Sequence, residues 1–421
     1  MQRYAKGMFF ITLIFGLCLG ATAKQIEIRL AGWSVGSESG KLLAQLVDEY
    51  NSMQDRVRIA LEVYGGEQPL LVSYVGGAAP DIAITSGASP MVYGGQDGMF
   101  LALDTYIDAE DGFDRSLFID DMWSFTVVDG KAYGIAVDTN ERALFINKKH
   151  AENAGLPLQN TVKNWDDLLA WAKKMTIRHG EDTQQWGFFT QYARGGDFWH
   201  TIYLNDGEIF SADGKTFIGD HPNTIEAVQF LADMVLEHKV APPTGGDSRN
   251  DFIAGKGSML IWHSGLMQFI ATNPMLEYVT VSGPPGNNKH GGRFSGASTS
   301  TFCILDSTQY PQEAFDFVKW ISLNHGNTIA QTRNLVPLLR EGLRARQFQT
   351  QPWDAFAHSI LTYNPRTYVH ARIASSEWWS GTDNFAGAVA AIITGQKPAA
   401  STLQEVAVRI NAKLRQANAT Q

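Results

Sequence analysis

Apolar and polar positions along the chain alternate between two periods, and the switch between them marks out strands and helices. Residues 25–31, "QIEIRLA", alternate and then turn apolar, which predicts a strand entering a sheet. After the loop "GWSVGSESG" comes "KLLAQLVDEYNSM", whose apolar residues recur at helical spacing. "VRIALEVY" then reads as a second strand and closes a β-loop-α-β unit. Residues 81–84, after the glycine-rich "GGAAP", predict a further buried strand running into a small-residue polar loop.

Farther on, "GKAYGIAVDTNERALFINKKHAENAGL" predicts two short strands around a polar bend and a helix stopped by Gly155. "NWDDLLAWAKKM" predicts a helix capped by Asn164 or Thr161. "NTIEAVQFLADMVLEHK" is a second amphipathic helix, ended by "APPTGG". "YPQEAFDFVKWISL" is a third, entered through a proline turn, and "TLQEVAVRINAKLRQ" a fourth that its charges place on the surface. Strands alternating with helices predict an α/β protein with two α/β lobes. In open α/β sheets ligands bind beyond the strand carboxyl ends. Polar loops follow strands at 32–40, 85–89, 138–142 and 262–265, and a site assembled from loops this far apart in sequence fits a cleft between lobes.

The first residues change the picture of where the protein works. Arg3 and Lys6 precede an apolar run from Met8 to Leu19, and Ala21-Thr22-Ala23 supplies a small-x-small cleavage pattern. Residues 1–23 are therefore expected to be a signal peptide cleaved after Ala23. A lipoprotein alternative at Cys18 is set aside, because Phe15-Gly16-Leu17 lacks the small residues that a lipobox needs next to the cysteine. Loss of Arg3 and Lys6 moves the formal charge from −9 to −11, which argues against nucleic acid as a partner. Cys303 is then the single remaining cysteine, so no internal disulfide forms; within "STSTFCILD" it reads as a buried strand residue.

Familiar catalytic patterns are missing. "AGKGS" lacks phosphate-loop spacing, no G-x-G-x-x-G follows a strand, and the ten histidines show no i, i+4 pairing. Neither cofactor nor metal is expected. In "SMLIWHSG", Ser264 would need glycines two residues before and after to form a nucleophile elbow, and those positions hold Trp262 and Leu266. Carboxylates on loops, Glu38, Glu67, Asp138 and Glu377, leave a secreted glycoside hydrolase open as an alternative.

Eleven tryptophans do point somewhere. Trp165, Trp171, Trp186 and Trp320 lie in helix or strand patterns and read as core. Trp33, Trp199, Trp262, Trp378 and Trp379 lie in polar, glycine- or serine-bearing segments. A sugar has an apolar C–H face that stacks on an indole and a rim of hydroxyls that needs hydrogen-bond partners.

The order of "GGAAPDIAITS", "GKAYGIAVDTNERALFINKKHAENAGL", "DFIAGKGSMLIWHSG", "SGASTSTFCI", "EAFDFVKWIS" and "EVAVRINAKL" resembles the sugar-binding proteins of ABC importers, of the maltose- and glycerol-3-phosphate-binding type. The resemblance implies a type II periplasmic binding protein fold: two α/β lobes, a hinge and a ligand cleft between them. It implies lobe 1 from 24–137 and 298–345, and lobe 2 from 138–297 and 346–421, the last part helical. It implies that a monomer captures a mono- to trisaccharide without chemistry in the periplasm and delivers it to permease subunits. The cleft residues it suggests are Trp33, Ser37, Glu38, Glu67, Ser86, Gly87, Asp138, Gln191, Tyr192, Trp199, Trp262, His263, Arg293, Gly296, Trp378 and Trp379. An anionic polyol such as sn-glycerol 3-phosphate is the alternative ligand, with Arg142, Arg194 and Arg293 as cations.

Overall fold

The computed structural model describes residues 25–419 except 34–35, 65, 88, 110–112, 120–125, 159–161, 190–197, 212–215, 244–246, 288–292, 295–299, 363 and 366–383. The expected signal peptide lies outside the described residues. The strands that build the two main sheets and their connection are β1 (Ile26–Gly32), β2 (Val57–Val63), β3 (Ile82–Thr85), β4 (Ile135–Ala136) and β5 (Asp138–Thr139). They continue with β6 (Arg142–Asn147), β7 (Met259–His263), β8 (Tyr278–Ser282), β9 (Thr301–Ile304) and β10 (Val336–Pro337). The helices used below are α1 (Glu38–Met53), α2 (Glu67–Val75), α3 (Trp165–Met175), α4 (Phe198–Leu204) and α5 (Pro222–Leu236). After them come α6 (Pro311–Thr332), α7 (Asp354–Thr362), α8 (Phe385–Ile393) and α9 (Ala399–Ala419).

The first sheet has the order β2-β1-β3-β9-β4. β1 runs parallel to β2 (Ile26 opposite Val57) and to β3 (Leu30 opposite Ile82), so these three strands end on one side. β9 returns from the far part of the chain and lies antiparallel to both β3 and β4. The second sheet has the order β7-β6-β8, both outer strands antiparallel to β6.

Period-2 alternation in the second sheet sorts its side chains between two cores. Leu144, Ile146, Met259 and Ile261 pack with α3, α5, α8 and α9 on one face. Ala143, Phe145, Leu260 and Trp262 face the other way, into a cluster that includes Phe356 of α7 and continues to Ile28, Leu30, Ile82 and Phe302 of the first sheet. Each fully buried large apolar side chain contributes about 1.5–3 kcal/mol. Gly187 allows close packing of the chain onto α3, since a Cβ there would lie 2.0 Å from the carbonyl oxygen of Ala172.

Several local expectations meet the structure directly. Asn164 caps α3 by accepting from the Asp167 amide at 3.0 Å. Helix α6 enters at Pro311 as expected but runs on to Thr332. Trp165 and Trp171 are buried, Trp186 and Trp320 partly so, and Cys303 is fully buried in β9. Burial pushes the Cys303 thiol up to about 12, so it is no nucleophile at neutral pH. Helix α9 departs from the surface reading. Leu403, Val406, Ala407, Ile410 and Leu414 form a buried stripe at helical spacing, beneath the charges.

The two sheets are tied together where the chain passes between them. β5 and β10 pair antiparallel, with Val336 opposite Thr139 and Pro337 opposite Asp138. The Leu338 amide donates to the Val137 carbonyl at 3.1 Å, and the Val137 amide donates to Ser300 at 3.0 Å.

Candidate functional site

Parallel strands bring their carboxyl-terminal loops to one edge, and a cavity opens there. Gly32 ends β1 and Trp33 follows it, Tyr64 and Gly66 follow β2, and Thr85 ends β3 with Ser86 after it; all line a space of about 490 Å³. Glu67 and Leu70 of α2 and Arg333 complete its wall. This volume falls within the range of small-molecule sites, about 300–1,000 Å³.

Two backbone turns hold the loops open. Gly66 (φ +123°) precedes α2 and lets Glu67 become its first residue, where the exposed amides of the helix start favour an acidic side chain. Gly87 (φ +59°) turns the chain away directly after Ser86. The hydroxyl of Ser89 donates to the Glu67 carboxylate, which fixes that carboxylate against the cavity wall. Burial, with the Glu67 charge nearby, raises the neighbouring Tyr93 phenol above its ordinary range.

Arg333, the residue that ends α6, closes the opposite side. Its guanidinium carbon lies 4.6 Å from the centroid of the Trp33 ring, a cation–π contact. Its Nε lies 3.6 Å from Oδ2 of Asp138, whose side chain is entirely buried. Ser300 donates its hydroxyl to the same Asp138 oxygen. Chemically the cavity offers an indole face, a carboxylate that accepts hydroxyl protons, hydroxyl groups of Thr85 and Ser86, and a guanidinium edge. Among the described residues no group of three or more His, Cys, Asp or Glu is arranged to hold a metal ion.

The residues expected from sequence fall into several places. Trp33, Glu67 and Ser86 line this cavity, with Gly87 next to it. Ser37 caps α1, accepting from the Gly40 amide at 3.0 Å. Glu38 is exposed and pairs with Lys41 at 2.6 Å. Asp138 is buried behind Arg333 in the β5/β10 pair.

Trp262 and His263 end β7 rather than lying in a loop, opposite Ala143 and Arg142 of β6. Trp262 is 9% exposed within the core cluster, its ring 5.7 Å from that of His263. Trp199 sits on α4, edge-on to Phe198 at 6.3 Å. Beside it, burial pushes His200 down to about 3, with Arg142 adding repulsion, so this imidazole is neutral. Arg293 belongs to a short strand paired in parallel with Asn364–Pro365, and its side chain lies outside the described residues. Gln191, Tyr192, Gly296, Trp378 and Trp379 lie outside the described residues altogether.

Among the cavity's larger polar side chains, Tyr64 and Arg333 were not foreseen. Tyr64 closes the "VRIALEVY" strand and its position before a glycine pair was the available signal. Arg333 ends a helix rather than a strand, so the loop-after-strand pattern does not reach it.

Comparison with known proteins supports the architecture. An arabinooligosaccharide-binding protein of Halalkalibacterium halodurans is 24% identical over 316 residues, covering 69% of this chain and 66% of that one. The cyclic alpha-maltosyl-1,6-maltose binding protein of Arthrobacter globiformis superposes with a TM-score of 0.77 at 19% identity, covering 93% of this chain and 100% of that one. The sugar-binding protein MalE of Xanthomonas citri gives a TM-score of 0.78 at 15% identity, over 93% and 98%. The α/β architecture is thus that of the type II periplasmic binding proteins. The family model described as bacterial extracellular solute-binding protein matches residues 45–353, and the chain belongs to that family.

Proposed function

We propose that this protein captures a neutral carbohydrate of one to three sugar units between two lobes and hands it to the permease of an ABC importer. The observation that carries the reading is the convergence of Trp33, Glu67 and Arg333 on one cavity at the ends of parallel strands. An indole takes the C–H face of a sugar ring, while a carboxylate and a guanidinium take its hydroxyls through charge-assisted bonds. Capture at micromolar concentration needs about −8 kcal/mol. A few hydrogen bonds to charged groups at about 1.5–3 kcal/mol each, with stacking, exceed that figure, and lobe closure absorbs the surplus. The printed names of the relatives, an arabinooligosaccharide-binding protein and a cyclic maltosyl-maltose binding protein, support a carbohydrate.

Membership of an extracellular family places the protein outside the cytoplasm. Our finer reading is a periplasmic protein, with residues 1–23 as the cleaved signal. The lobes we propose are 24–137 with 298–345, and 138–297 with 346–421, hinged at the β5/β10 pair. We further propose Trp199, His263 and Arg293, with Gln191, Tyr192, Gly296, Trp378 and Trp379, as residues that contact the sugar. Thermal unfolding of residues 24–421 against a panel of neutral sugars tests the reading, because a ligand of the folded state raises the midpoint. A rise with one class of neutral sugar is the expected result. A rise only with phosphorylated polyols would overturn it.

A further inference from the structure

Two charged side chains reach the cavity wall among the described residues, Glu67 and Arg333. They are not equivalent. Arg333 is 20% exposed and lies 3.6 Å from the fully buried carboxylate of Asp138, itself held by the Ser300 hydroxyl. Its guanidinium plane is engaged by the Trp33 ring. A cation this close to a buried carboxylate presents little net charge to a solute, because the two potentials cancel beyond a few ångströms. Glu67 is bound instead to a neutral group, the Ser89 hydroxyl.

We propose that the Asp138–Arg333 pair is the charge filter of this site: Asp138 neutralises Arg333, the one arginine on the cavity wall among the described residues, and so makes the site prefer uncharged solutes to phosphorylated ones. The proposal rests on this cavity being the solute site. Asp138 acts through Arg333 and touches no ligand; it is a specificity-positioning residue. Its placement in the β5/β10 pair, opposite Pro337, fixes it relative to Arg333, four residues earlier in the chain than that proline. The filter therefore does not depend on a mobile surface side chain.

The test needs no knowledge of the sugar. Inorganic phosphate is titrated by calorimetry into the wild-type protein, Asp138→Asn, Glu67→Gln and the double variant Asp138→Asn/Arg333→Gln. Asparagine keeps an oxygen for the Ser300 hydroxyl while removing the charge. Asp138→Asn is expected to bind phosphate at least tenfold more tightly than wild type, and the double variant to lose that gain. Glu67→Gln removes a carboxylate from the cavity wall and should also gain phosphate affinity, by less than Asp138→Asn does; if Asp138→Asn does not fold, a tenfold gain in Glu67→Gln alone decides against Asp138. Equal phosphate affinity in folded wild type and Asp138→Asn overturns the proposal. So does a tenfold gain in Glu67→Gln, which would make Glu67 the filter. A sugar panel without effect would sink the proposed function and leave the phosphate result to be read on its own.

Discussion

Ser264 donates its hydroxyl to the main-chain carbonyl of Asn334 at 2.8 Å, across seventy residues of sequence. The Ser264 amide also donates to Glu141 at 3.2 Å. The serine beside His263 is thus wholly buried and committed to a structural bond that ties the end of β7 to the turn after α6. Asn334 sits in a left-handed conformation (φ 53°), and the bond stabilises that turn one residue beyond Arg333. Ser264→Ala leaves a half-buried carbonyl without its donor and should cost about 1 kcal/mol, read from the urea midpoint. It should give no sign of a lost hydrolytic activity.

Trp33→Ala removes the proposed stacking surface together with the partner of the Arg333 guanidinium. Loss of a buried indole face is worth about 1.5–3 kcal/mol, so affinity for the stabilising sugar should fall at least tenfold. Calorimetry checks the affinity, and the thermal midpoint of the unliganded variant should stay within a few degrees of wild type.

Acid should destabilise the protein partly through His200. Its folded-state value is lowered to about 3 from 6.5 by burial, so the unfolded chain binds the proton first. The contribution is fully present above pH 6.5 and is lost as pH falls from there toward 3. At pH 5 this one residue costs about 2 kcal/mol. His200→Gln should flatten the dependence of stability on pH between 6.5 and 4, measured by urea unfolding at each pH.

Gly187→Ala places a methyl group 2.0 Å from the Ala172 carbonyl oxygen of α3, a backbone atom that has no side-chain freedom to yield. The cost should be about 3 kcal/mol or more. Circular dichroism during urea unfolding measures it.

What could be read in the chain depended on whether the cause was local. Capping by Asn164, entry of α6 at Pro311 and burial of Cys303 follow from neighbours in sequence, and each is where its pattern pointed. Trp262 shows the intermediate case. Its polar neighbours suggested a loop, yet alternation with Leu260 already set the indole on the core face of β7. In α9 the charges masked a stripe at 403, 406, 407, 410 and 414 that the helical period carries openly. Arg333 is different in kind. Residues 33, 138, 300 and 333 meet through strand order and the β5/β10 pairing, and no window of sequence contains that meeting. Of the cavity, Trp33, Glu67, Ser86 and the adjoining Gly87 were legible because each follows a strand; Ser37 and Glu38 stand just as near in sequence, but the start of α1 engages them.

Isothermal titration of residues 24–421 with neutral mono-, di- and trisaccharides tests the central claim most directly. Saturable binding of one neutral sugar at micromolar concentration, weakened at least tenfold in Trp33→Ala, is the predicted result. Unchanged affinity in Trp33→Ala, or binding confined to phosphorylated solutes, would contradict it.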